Sequence, residues 1–111
     1  MSRYQRTKGA AFERKVAALF REAMPGAECR RNLQPQGGRV AGNDLVVPMF
    51  GVECKVGKLP NPRAALLQAE RDASPELYPI AVVQDDRQPP FVVVRLEAFL
   101  EMVGEWWRET Q

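Results

Sequence analysis

Apolar positions along the chain change period several times, and each change marks an element. Phe12, Val16, Leu19, Phe20 and Ala23 recur at helical spacing and make one apolar stripe. They predict a helix capped by Thr7 and running to about Met24, where Pro25-Gly26 stops it. Arg14 and Arg21 fall on the opposite face, and Glu13 falls at the edge of the stripe beside Phe20. Residues 28 to 40 read as a basic strand and a loop, the loop marked by Pro35, Gly37 and Gly38. Between Gly42 and Val56, two β-branched runs flank a proline-containing turn, the pattern of a hairpin.

The second half repeats the alternation. Asn61 followed by Pro62 gives an N-cap and a first-turn proline, predicting a helix to about Ala73 that buries Ala65, Leu66 and Ala69. Leu77 to Gln84 and Phe91 to Leu96 are β-rich runs joined by a polar loop, a second hairpin. Glu97 to Arg108 places Phe99, Leu100, Val103 and Trp107 on one helical face. The order is helix, three strands, helix, two strands, helix. This is an α/β fold, a mixed sheet flanked by helices. Its 111 residues suit one domain, with residues 1 to 7 as a flexible basic arm.

Composition narrows the chemistry. The chain has no histidine, which removes Ser-His-Asp and Cys-His catalysis and every nuclease type built on a histidine base. Cys29 and Cys54 form no CxxC pair, so a structural zinc site or disulfide framework is not expected. No apolar run approaches the roughly 20 residues that span a bilayer. No apolar stretch follows the basic N-terminus, so a soluble, cytoplasmic protein without a secretory signal is expected. Net charge is only +2, yet residues 1 to 39 carry nine Lys and Arg against three Asp and Glu. A basic N-terminal third suggests a footprint for a polyanion. Carboxylates, lysine and bound metal are then the available tools for chemistry on phosphate esters.

One stretch concentrates those tools. Side chains alternate along a strand, so Glu53 and Lys55 share a face and Cys54 takes the other. If the hairpin turns between Pro48 and Met49, Asp44 pairs directly across from Glu53. Two carboxylates that close repel each other unless a cation sits between them. Mg²⁺ suits carboxylate and water oxygens, with Mn²⁺ as a substitute. Asp44 and Glu53 are then candidate ligands, the Cys54 backbone carbonyl a further one, and Lys55 the residue that positions water and stabilises developing charge. A lone Glu-x-Lys is usually a solvated strand face. Here it follows an Asp in register and lies between two helices.

The arrangement resembles the PD-(D/E)XK nuclease superfamily, whose core is αβββαβ. Asn43-Asp44 stands where the family has Pro-Asp, and Glu53-Cys54-Lys55 where it has (D/E)-x-K. The segment Lys8-Gly9-Ala10-Ala11-Phe12-Glu13-Arg14-Lys15-Val16 resembles the first helix of Holliday junction resolvases and related phage nucleases. The resemblance implies a restriction-endonuclease-like core and a metal role for Glu13. It also suggests a functional role for Gln68 in the helix after the motif. It further implies DNA as partner, a bacterial or phage setting in replication, repair or recombination, and a homodimer able to cut two strands. Lys8, Arg14, Lys15, Arg30, Arg31, Arg39 and Lys58 are the candidate phosphate contacts. The resulting expectation is a Mg²⁺-dependent endonuclease hydrolysing phosphodiesters in branched or otherwise structured DNA. The alternatives are a catalytically silent DNA-binding or assembly module on the same scaffold, and restriction-type cutting of specific duplex sequences.

Overall fold

The computed structural model describes residues 2–33 and 42–111. Its elements are α1 (Arg3–Ala23), β1 (Arg30–Arg31), β2 (Leu45–Val47), β3 (Phe50–Gly57), α2 (Pro62–Asp72), β4 (Tyr78–Asp85), β5 (Phe91–Val93) and α3 (Leu96–Glu109). The αβββαβ order expected from the sequence is present, followed by one more strand and one more helix. The five strands form a single mixed sheet in the order β1-β2-β3-β4-β5. Only β3 and β4 run parallel, and α2 is the crossover between them.

The N-terminal helix corrects the sequence reading. It begins at Arg3, not after Thr7, so residues 3 to 7 are helical and do not form a flexible arm. The Ser2 hydroxyl accepts the Gln5 amide at 3.1 Å, and the Gln5 side chain accepts the Ser2 amide at 3.1 Å. This reciprocal capping box satisfies two donors that the first turn would otherwise leave unpaired. The far end of the helix is where it was expected, with Gly26 at φ 90° just beyond it. The stripe is narrower than predicted: Phe12, Val16 and Ala17 are buried, whereas Leu19 and Ala23 are exposed.

The sheet is a partition between two cores. Ile80 and Val82 of β4, with Val52 of β3, pack against Phe12, Val16 and Ala17 of α1. Ala81 and Val83, the alternating residues of β4, pack against Ala65 of α2. The hydrophobic run of β4 is continuous because both its faces are covered. Helix α2 has the Asn61 cap predicted for it, and it buries Ala65, Leu66 and Ala69 as expected.

The first hairpin turns where the argument required. Val47 pairs with Phe50, Val46 with Gly51 and Leu45 with Val52, leaving Pro48-Met49 as the turn. Met49 takes φ 75°, the positive value demanded at the second corner after a proline. The second hairpin is antiparallel as predicted, but its last strand is shorter: β5 ends at Val93, and Leu96 already belongs to α3. No helix among the described residues is long and apolar enough to cross a membrane.

Candidate active site

The β2–β3 ladder ends at the pair Leu45 and Val52, one step short of Asp44 and Glu53. The two strands separate there, and β3 runs on to Gly57 with α1 and α2 on either side. The result is a cleft of about 1090 Å³ whose floor is Glu53, Cys54, Lys55 and Val56. Arg6, Gly9, Ala10 and Glu13 form its α1 wall, and Ala64, Ala65, Gln68 and Arg71 its α2 wall. The α1 wall follows the i, i+3, i+4, i+7 rhythm of one helix face, and Asn61, Ala64, Ala65 and Gln68 repeat it at the start of α2.

Asp44 and Glu53 are both buried in this cleft, at 7% exposure each. Their oxygens are held by specific donors. The Cys54 amide donates to Asp44 Oδ2 at 2.8 Å. The Asn43 side-chain amide donates to Glu53 Oε1 at 3.3 Å and to the Ala69 carbonyl of α2 at 3.1 Å. Asn43 therefore ties the Glu53 carboxylate to the helix behind it. Among the described residues, no buried side-chain nitrogen or oxygen lacks a partner. A strand residue presents its N–H and C=O on one side. The Cys54 carbonyl thus faces the same open edge as the amide that holds Asp44.

Gly51 makes this packing possible. A Cβ there would lie 2.4 Å from Asn43 Oδ1 and 2.7 Å from the Ala73 Cβ. Only glycine lets Asn43 and the end of α2 approach β3 so closely.

Lys55 lies two residues beyond Glu53, on the same face and exposed to the cleft. Among the described residues no carboxylate lies within ion-pair distance of its ammonium. Cys54 faces the α1 core. Burial, then the carboxylates of Asp44, Glu13 and Glu53, push its thiol far above the ordinary value of 9.0. The thiol stays protonated and is a packing group, with no part in chemistry at neutral pH.

Glu13 reaches the cleft but is otherwise engaged. Its Oε1 accepts Arg31 Nε at 2.9 Å, both side chains about four-fifths buried. Among the described residues, no group of three or more acidic or cysteine side chains is gathered at metal-ligating spacing. The metal role implied for Glu13 is thus not assembled: it faces a guanidinium. Gln68 lines the α2 wall, donates to Asp72 at 2.6 Å and accepts from Arg71.

The basic candidates divide. Arg31 lines the cleft, whereas Lys8, Arg14, Lys15, Arg30 and Lys58 do not. Lys8 pairs with Asp86 in the β4–β5 loop, and Arg30 with Glu28 at 3.2 Å. Arg39 lies outside the described residues. The structure adds Gln5, Arg6, Asn61 and Arg71 to the lining. The signal for Gln5 and Arg6 was Ser2-x-x-Gln5, which starts the helix early enough to place both on the Glu13 face. Arg71 follows Ala64 and Gln68 at helical spacing, a pattern that sequence alone offers on several faces.

No family model matches this chain, and neither a curated protein nor a solved structure does. The site therefore rests on its own geometry.

Proposed function

We propose that this protein is a Mg²⁺-dependent endonuclease of the PD-(D/E)XK type, hydrolysing phosphodiesters in DNA. One observation carries the reading: Asp44 and Glu53 are buried together at the open end of a hairpin, with Lys55 on the same face of the cleft. Two carboxylates buried at one spot, on a face that also carries a lysine, make an oxygen donor pair of the kind that holds a divalent cation.

The donor set suits Mg²⁺, which is typically bound by one or two carboxylates and keeps water or phosphate at its other positions. Asp44 and Glu53 would hold it, with the Cys54 carbonyl as a third oxygen; Mn²⁺ would substitute. When bound, the ion supplies charge to polarise a phosphate oxygen and acidify water.

The chain's own residues do the rest. The Cys54 amide and the Asn43 side chain fix the two carboxylates, so their oxygens need no rearrangement on binding. The Lys55 ammonium orients the attacking water and donates to the oxygens that gain charge as the phosphorus becomes five-coordinate. Arg31, Arg71 and Arg6 line the same cleft and offer contacts for the backbone phosphates on either side of the scissile one. Arginine contacts to phosphates position a duplex without reading its bases, which favours recognition of DNA shape, so branched or junction DNA is the preferred substrate class. A bacterial or phage-infected cytoplasm is the setting we assign. Cutting two strands of a junction calls for two sites, and hence for a homodimer.

The engagement of Glu13 by Arg31 favours one rival, a catalytically silent module that binds DNA on the same scaffold. Labelled single-stranded, duplex, flapped and four-way-junction DNA, incubated with Mg²⁺, Mn²⁺ or EDTA, separates the two. The nuclease cuts at least one of them in a metal-dependent way. The silent module binds without cutting, with affinity unchanged in Asp44→Ala.

A further inference from the structure

Helix α3 is mounted the wrong way round for a monomer. None of its residues is buried, and it packs only marginally against the other elements. Leu96, Phe99, Leu100, Val103, Trp106 and Trp107 are all exposed, Leu96 at 71% and Trp106 at 61%. Meanwhile Glu97, Ala98 and Glu101 line a groove of about 460 Å³ against Pro75, Tyr78 and Arg95. The Tyr78 hydroxyl is raised above its ordinary value by burial and by the carboxylates of Glu101 and Glu105, which places both near it. Helical residues advance about 100° each, so Val103 lies about 200° from Glu101. The acidic face is turned to the body and the apolar face away from it.

We infer that this apolar face is a homodimer interface, in which α3 of one copy packs antiparallel against α3 of a second. The spacing of Leu96, Phe99, Val103 and Trp106, alternating three and four, is that of a two-helix seam, with Leu100 and Trp107 broadening it. The face is self-complementary when antiparallel. Its narrow aliphatic end, Leu96 and Leu100, meets the broad aromatic end of the other copy, as an isologous contact requires. The area is sufficient. With roughly 150–250 Å² for a large side chain, the exposed fractions amount to roughly 500–800 Å² per copy, up to the roughly 800 Å² per partner of a standard interface. The polar face speaks against a membrane surface, since Glu97, Glu101, Glu105 and Glu109 outnumber Arg108. Helices that lie on anionic lipid carry a basic face. The inference stands independently of the nuclease reading, because it uses no residue of the cleft.

Trp106 and Trp107 are the only tryptophans of the chain, so its tryptophan fluorescence reports on α3 alone. Analytical ultracentrifugation of the full chain should give about twice the 12.5 kDa monomer mass at micromolar concentration. Dilution into the nanomolar range should red-shift the emission as the dimer dissociates. Val103→Glu, at a position already exposed in the monomer, should sediment at the monomer mass with an unchanged far-ultraviolet circular dichroism spectrum and red-shifted emission. A wild type that is monomeric at every concentration would overturn the inference, as would a dimer that survives Val103→Glu. Monomeric wild type that binds phosphatidylcholine–phosphatidylserine vesicles would assign the face to lipid and equally overturn it.

Discussion

The Asp44 carboxylate accepts the Cys54 amide at 2.8 Å, one residue beyond the last pair of the β2–β3 ladder. The bond replaces the ladder hydrogen bond that β3 would otherwise lose where β2 stops. Asp44 thus closes the hairpin and faces the cleft at once. Asparagine can accept the same bond through its amide oxygen, while its charge is gone. Asp44→Asn should therefore fold with a melting temperature within a few degrees of wild type. It should bind Mn²⁺ weakly, as read by paramagnetic resonance, and cut DNA about 100-fold more slowly or worse, the scale of a lost electrostatic contact. Near-normal cleavage in Asp44→Asn would remove Asp44 from the site.

Gly51 gives a prediction about stability. Alanine there would press on Asn43 and Ala73, and Asn43 holds Glu53. Overpacking of this kind costs roughly 1–3 kcal/mol. The urea midpoint of Gly51→Ala should fall accordingly, and metal affinity should fall with it. An unchanged midpoint would mean that α2 yields without resistance.

The Cys54 thiol gives a pH dependence. In the folded chain its pKa is raised by burial first and by neighbouring carboxylates second, whereas the unfolded thiol titrates near 9.0. Above that pH the unfolded state releases a proton that the folded state keeps. Stability should therefore be fully present below pH 9 and fall above it, by at most about 1.4 kcal/mol per pH unit for this one group. Urea titrations in EDTA at pH 7 to 10.5 should show the decline, and Cys54→Ala should flatten part of it. A stability profile in Cys54→Ala identical to that of wild type would show the thiol to be uninvolved.

The two groups of basic residues should behave differently. Arg71 lines the cleft, whereas the Lys8 ammonium is paired with Asp86 away from it. Arg71→Ala should weaken DNA binding and lower the slope of log K against log salt by about 0.9, one phosphate contact. Lys8→Ala should leave that slope unchanged. Fluorescence anisotropy at several salt concentrations measures both, and equal effects would place the DNA elsewhere.

Much of the fold was legible because its signals are local. The αβββαβ order follows from changes of apolar period, and the Asn61-Pro62 cap and the Pro48-Met49 turn fall where their chemistry puts them. The pairing of Leu45 with Val52 followed from turn position alone, because a two-residue loop fixes the ladder, but the direct pair of Asp44 with Glu53 did not, since β2 stops at Leu45. The start of α1 was misplaced because Thr7 is a good cap and Ser2-x-x-Gln5 is a better one. That error removed Gln5 and Arg6 from the candidate cleft. The Glu13–Arg31 pair was not legible, since the partners are 18 positions apart on two different elements, α1 and β1. Nor was the outward face of α3: periodicity shows that a helix has an apolar face, not which way it is turned.

Cleavage by Lys55→Ala tests the central claim most directly. Lys55 lines the cleft and is exposed, so its removal should leave the fold and DNA affinity nearly intact. With Mg²⁺ and a panel of duplex, flapped and four-way-junction DNA, wild type should cut and EDTA should stop it. Lys55→Ala should lose about 100- to 1000-fold in rate, the scale for one donor to developing charge. Wild type that binds every substrate and cuts none, with any metal, would contradict the account.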